Sequence, residues 1–139
     1  MKPILRWFAV LALTSSVAFA GWPTDYPAAT AAAEKGDQNT LVLFTGKDWC
    51  PPCKKLEKDT LSQKDFLAFA NKNLQLVELD FPRSEEPTPA NTKLASQYSV
   101  EGFPTLILLS PKGKELARNV GYLPGGPDAL IAWIGKASK

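Results

Sequence analysis

The chain contains two cysteines, Cys50 and Cys53, and they are separated by Pro51 and Pro52. Thiol-disulfide exchange needs an accessible thiolate and a second thiol close enough to release the mixed disulfide that forms. A bridge between these two positions closes a very small loop, so in the chain-entropy model it constrains the unfolded chain little. The spacing therefore favours a redox-active pair. A purely structural disulfide stays open as the alternative.

Histidine is absent from the sequence, and this excludes several other uses of the cysteines. An ordinary structural zinc site needs four ligands, which two cysteines without histidine cannot supply. Haem attachment of the c type needs histidine directly after the second cysteine, where this chain has Lys54. A Ser/His/Asp triad and a Cys/His dyad are excluded for the same reason. The sequence predicts neither a metal nor a cofactor.

The segments on either side of the cysteines predict how they are positioned. Residues 41–44 form a short apolar run that is typical of a buried strand, and a helix is expected to begin at or just after Cys50. A helix N-terminus carries partial positive charge and free N–H groups, which favour a thiolate. We therefore expect Cys50 to be the nucleophile. Cys53, one turn later and more buried, is the expected resolving thiol.

The remaining pattern predicts an α/β fold with a central mixed β-sheet and helices on both faces. An early strand-helix-strand unit favours a parallel crossover, and two later strands around a Gly-containing turn favour a hairpin. A proline-rich segment, residues 81–90, is interpreted as a solvated connector, with a partner-contact loop as its alternative. Helices are predicted at 28–35, 64–71, 91–97 and 127–137, and strands at 74–79, 105–109 and 115–120.

The first twenty of the 139 residues differ from the rest of the chain. Lys2 and Arg6 precede an apolar run, and a small-x-small sequence ends at Ala20, which together are typical of a secretory signal peptide. We predict a signal peptide over residues 1–20 and one domain over residues 21–139, with a retained membrane anchor as the alternative. Removing two positive charges from a chain of net charge +2 leaves it close to neutral, so no nucleic-acid partner is expected.

Two motifs carry a resemblance to the thioredoxin-like family. Residues 49–54, Trp-Cys-Pro-Pro-Cys-Lys, resemble the family's active site, and residues 102–105, Gly-Phe-Pro-Thr, resemble its cis-proline loop. Gly121 stands where the family has a groove glycine, and the similarity covers residues 41–125. Residues 44–50 also resemble exported bacterial members, among them the soluble domains of periplasmic disulfide-transfer reductases. The resemblance implies a thioredoxin fold.

The resemblance also implies a substrate groove beside the cysteines. Pro104 is expected to be cis and to face them, which would leave the backbone of Phe103 free to pair with an extended substrate segment. The alternatives are an ordinary loop proline at 104 and a core aromatic at Trp49. The expected substrate-binding residues are Trp49, Pro51, Pro52, Phe103, Pro104 and Gly121.

The sequence departs from thioredoxin at two positions. Phe44 replaces a buried aspartate six residues before the first cysteine, and Glu78 stands where the next strand has a lysine. Glu78 lies in an apolar run, so we expect it to be partly buried and hypothesise that it is the proton relay for Cys53. The alternative is a strand-end carboxylate that faces solvent.

The two prolines between the cysteines bear on the direction of electron flow. They supply no charge, and Pro52 supplies no backbone N–H, so the thiolate is expected to be less stabilised and the disulfide less oxidising. We predict a monomeric reductase or electron relay that acts on protein disulfides and takes electrons from a membrane-bound donor. The alternatives are a cytochrome c maturation protein, a peptide-binding module without turnover and a structural domain with a locked disulfide.

Overall fold

The computed structural model of the protein describes residues 21–139. The predicted signal peptide lies outside the described residues. Five α-helices and four β-strands follow one another within them. The helices are α1 Tyr26–Gly36, α2 Pro51–Leu56, α3 Lys64–Asn73, α4 Pro89–Gln97 and α5 Gly126–Ala137. The strands are β1 Asn39–Thr45, β2 Leu74–Asp80, β3 Thr105–Leu109 and β4 Glu115–Val120.

The four strands form one mixed sheet in the order β2-β1-β3-β4. β1 pairs in parallel with β2, from Asn39 beside Leu74 to Thr45 beside Asp80. On its other edge β1 pairs antiparallel with β3, and β3 and β4 form the antiparallel hairpin that the sequence predicts. Because β1 is central, the residues that follow it leave the sheet at its middle, where the cysteines begin.

Helix starts are set by caps and prolines. Asp25 accepts the backbone N–H of Ala28 at 2.9 Å to cap α1, and Thr88 accepts that of Asn91 at 3.2 Å to cap α4. α4 therefore begins at Pro89, two residues before the predicted start. α2 begins at Pro51 with Cys50 at its N-cap position, as expected, and continues as one π-helical turn over Glu57–Leu61.

Two apolar cores lie on opposite faces of the sheet, because successive strand residues point to opposite sides. Leu43 of β1 packs on one face against Leu56, Leu61 and Phe66, where α2, α3 and α5 lie. Phe44, the next residue along β1, packs on the other face with residues of α1 and α4. The structure thus confirms a thioredoxin fold with a mixed sheet and helices on both faces. No helix of residues 21–139 combines the length and the apolar character needed to cross a bilayer.

Candidate active site

The two cysteines form a disulfide at the start of α2. Cys50 precedes the first helical residue, and Cys53 lies on the buried side of the first turn, together with Leu56. Both cysteines are buried, with exposed fractions of 2% for Cys50 and 4% for Cys53. The expected greater burial of Cys53 is therefore not seen in the disulfide form.

The cis peptide bond between Phe103 and Pro104 lies against the disulfide, as the motif predicts. The Sγ atom of Cys50 is 3.8 Å from the carbonyl oxygen of Phe103. Gly121 donates its N–H to the carbonyl of Pro104 at 2.7 Å and has a φ of 91°, a backbone conformation that favours glycine. The cis-proline segment thus lies between the cysteines and Gly121.

Trp49 is fixed beside Cys50 by three contacts. Its indole Nε1 donates to the carbonyl of Phe81 at 2.7 Å. Its ring packs edge-on against that of Phe103, with 6.0 Å between the ring centroids. A Cβ atom at Gly46 would lie 2.5 Å from the indole ring, so glycine is needed there for the ring to fit. Trp49 is half-buried at the rim of the site and is not a core residue.

Glu78 lies on the face of the sheet that α2 covers. It pairs in register with Leu43, whose side chain packs in the core beneath α2, whereas Phe44 points to the opposite face. Glu78 has an exposed fraction of 7%, so the expected burial is confirmed and the solvent-facing alternative is wrong. The Nζ atom of Lys47 lies 2.8 Å from its carboxylate.

A small cavity of about 40 Å³ adjoins this ion pair. Lys47 and Glu78 line it together with Glu57, which lies one helical turn after Cys53 and whose N–H is bonded to the Cys53 carbonyl. Among residues 21–139 no hydrogen bond joins Glu78 to Cys53 itself. The hydrogen bond that Lys47 donates to the Glu78 carboxylate raises the pKa of Lys47 above its ordinary value, while partial burial opposes that increase.

Comparison with known proteins supports the interpretation of this geometry. Residues 26–138 match the family described as "Thioredoxin-like domain". The chain belongs to the thioredoxin-like family. "Disulfide bond reductase DsbH" of Chlamydia pneumoniae is 37% identical to this thioredoxin-like chain over 118 residues, which cover 82% of it and 70% of the relative.

Two further similarities agree with that membership. A solved structure, "DsbH Oxidoreductase", superposes with a TM-score of 0.78 at 31% identity and covers 99% of this thioredoxin-like chain and 94% of that one. "Thiol:disulfide interchange protein DsbD 2" of Pseudomonas aeruginosa is 34% identical over 98 residues, but these are only 16% of its length. With the Cys50–Cys53 pair, the relatives identify the chain as a thioredoxin-like thiol-disulfide oxidoreductase.

The structure brings most of the expected thioredoxin-like site together. Trp49, Phe103, Pro104 and Gly121 form a continuous chain of contacts around Cys50, and the two prolines between the cysteines are exposed. Glu78 lies apart from this surface, below the helix. Four residues that the sequence did not predict also lie beside these positions. They are Lys47, Glu57, Asp48 and Arg83.

Proposed function

We propose that the protein is an exported reductase of protein disulfides, or an electron relay to them, that works through Cys50 and Cys53. The observation that carries this proposal is the disulfide at the start of α2, with the Phe103 carbonyl 3.8 Å from Cys50. An extended substrate segment laid along the Phe103 backbone would bring its own disulfide to that sulfur. The substrate-binding roles of Trp49, Pro51, Pro52, Pro104 and Gly121 belong to the same proposal.

The proposed reaction begins with the reduced protein. The Cys50 thiolate attacks one sulfur of the substrate disulfide, and the second substrate sulfur leaves as a thiolate and takes up a proton. Cys53 then loses its proton, and its thiolate attacks the Sγ atom of Cys50. This step releases the first substrate sulfur, also as a thiolate that is then protonated. Two electrons have passed to the substrate, and Cys50 and Cys53 are left as a disulfide.

Glu78 is the proposed acceptor for the proton that Cys53 loses. Its carboxylate is buried on the α2 side of the sheet, and the cavity beside it has room for a water molecule. Glu57 also lines that cavity, and this residue directly follows α2 and bonds its backbone N–H to the Cys53 carbonyl. In this proposal a bridging water carries the proton from Cys53 to Glu78.

Turnover needs a source of electrons, and we propose a membrane-bound protein that carries a dithiol. Exchange with that dithiol reverses the steps above: it restores the thiols of Cys50 and Cys53 and leaves the donor oxidised. Export by a signal peptide cleaved after Ala20 would place the chain, as a monomer, in a compartment that lacks a strong soluble reductant. N-terminal sequencing of the processed protein is expected to begin at Gly21.

The deciding experiment measures the reduction potential of the Cys50–Cys53 pair by equilibration with glutathione or dithiothreitol. A value near that of thioredoxin, roughly −270 mV, is expected for a reductase. A value near about −120 mV would make the protein an oxidant and would reverse the proposed direction. In parallel, the wild type should accelerate the reduction of insulin disulfides by dithiothreitol, and Cys50→Ser should not.

A further inference from the structure

The loop after β2 is attached to the active site by hydrogen bonds and ring contacts. The Phe81 carbonyl accepts the indole N–H of Trp49, and the Phe81 ring lies 5.0 Å from that of Phe103. The carboxylate of Asp48 accepts the backbone N–H groups of Arg83 and Ser84 at 3.2 and 3.4 Å. A solvated connector needs none of these contacts, so the loop forms part of the wall beside the cysteines.

Arg83 places a positive charge at this wall. The centre of its guanidinium lies 4.2 Å from the centroid of the Trp49 ring, a cation–π contact. Within residues 21–139 the guanidinium forms no ion pair, although Glu85 and Glu86 follow it on the same loop. The Asp48 carboxylate is occupied by backbone N–H groups. Arg83 is exposed, so its N–H donors remain available to a bound molecule.

We propose that Arg83 binds a carboxylate of the substrate next to the disulfide under attack, and so makes the protein prefer disulfides flanked by acidic residues. This inference rests on the proposed function. A guanidinium stacked on a ring keeps its hydrogen-bonding edge free, and that edge matches a carboxylate in a two-point contact. Trp49 contacts both Arg83 and Phe103, so a segment that follows the Phe103 backbone to Cys50 passes this cation.

The test uses two synthetic peptides with the same intramolecular disulfide, one with Glu and one with Gln beside the attacked cysteine. Second-order rate constants for their reduction by the pre-reduced protein are compared. An exposed ion pair makes a modest contribution, so the wild type should prefer the Glu peptide by about two- to fivefold. The preference should shrink as salt is added, because the pair is exposed to solvent.

Substitutions separate the charge of Arg83 from a general role in the fold. Arg83→Gln should remove the preference by slowing only the Glu peptide, and Arg83→Glu should reverse it. The matched control is Lys112→Gln, which removes one positive charge from the hairpin turn at the opposite end of the sheet. It should leave the preference unchanged.

The other possible results would contradict either the role of Arg83 or the proposed function itself. Equal wild-type rates for both peptides would overturn the role of Arg83 and leave the reductase intact. Equal slowing of both peptides by Arg83→Gln would also overturn it, since the residue would then act on the site as a whole. If the pre-reduced wild type reduced neither peptide, the proposed function would fail, and this inference with it.

Discussion

Lys47 and Glu78 form an ion pair across 2.8 Å that joins the turn before the cysteines to the outer strand β2. The carboxylate is buried, whereas the lysine side chain is 43% exposed. The pair lies on the α2 face of the sheet, beside a cavity that Glu57 also lines. Glu78 therefore belongs both to the proposed proton relay and to the ion pair that ties down the active-site turn, so substitutions are needed to separate its two roles.

Glu78→Gln is expected to slow the second step of exchange and to spare the first. Loss of a positioned proton acceptor reduces a rate by about 10²-fold, and here that loss falls on the attack by Cys53. In a quenched single turnover with a disulfide peptide, the mixed disulfide on Cys50 should therefore accumulate. Glu78→Asp should restore part of the rate.

The control for this variant is Glu101→Gln, which removes an exposed carboxylate. It should leave both steps at the wild-type rate. If the rate of Glu78→Gln and its dependence on pH matched those of the wild type, Glu78 would have no part in proton transfer. If Glu78→Gln lowered the rates of both steps together, the carboxylate would have a structural role instead.

Lys47→Met is expected to lower the free energy of unfolding by about 1 kcal/mol at neutral pH, because it leaves a buried carboxylate without its cation. The folded-state pKa of Lys47 is raised, chiefly by the hydrogen bond with Glu78. The pair's stabilisation is therefore complete below the unfolded lysine pKa of about 10.4 and is lost as pH rises through the higher folded value.

Urea unfolding of the wild type and Lys47→Met, from about pH 7 to about pH 11, measures this difference. The difference between their free energies of unfolding should be constant around neutral pH and should become smaller towards about pH 11. Lys58→Met, which removes an exposed lysine from the π-helical turn, is the control and should leave the free energy of unfolding unchanged. A difference that widened with pH would contradict the ion-pair explanation.

Gly46→Ala should displace Trp49, since the new Cβ would lie 2.5 Å from the indole ring. Overpacking of this kind costs about 1–3 kcal/mol, and the hydrogen bond from Trp49 to the Phe81 carbonyl should be strained or lost. The near-UV circular dichroism and the tryptophan emission of Gly46→Ala should differ from those of the wild type, and its free energy of unfolding should be lower. Gly135→Ala is the matched control, because a Cβ there meets open space in the last turn of α5. It should stabilise the protein by roughly 0.5–1 kcal/mol.

Local sequence signals predicted the sheet and the position of the cysteines well. The bounds of β3 and β4 agree with the predicted strands, because an apolar run and a Gly-containing turn define them locally. The start of α2 also follows from the two prolines after Cys50. Helix ends were less well predicted, since the cap at Thr88 and the π-helical turn after Leu56 leave no periodic signal.

The contacts that surround the site depend on tertiary structure, and no local sequence signal predicts them. Lys47 meets Glu78 because β1 and β2 pair in one particular register, which a single sequence does not specify. Arg83 meets Trp49 because the loop after β2 folds back over the active-site turn. The burial of Cys50 likewise arises from the cis-proline segment, which is distant in sequence.

Cys53→Ala should trap the substrate on Cys50 if the two cysteines have the proposed roles. Attack by Cys50 would proceed at the normal rate, but the mixed disulfide would lack the thiol that resolves it. Mass spectrometry of the reaction with an excess of a disulfide peptide should therefore show a stable adduct at Cys50 that dithiothreitol removes. Cys50→Ala is the matched control and should form no comparable adduct, because it removes the sulfur at the N-terminus of α2 that lies beside the Phe103 carbonyl. Adducts of equal yield on both variants would contradict the assignment of Cys50 as nucleophile, and an adduct on Cys50→Ala alone would reverse it.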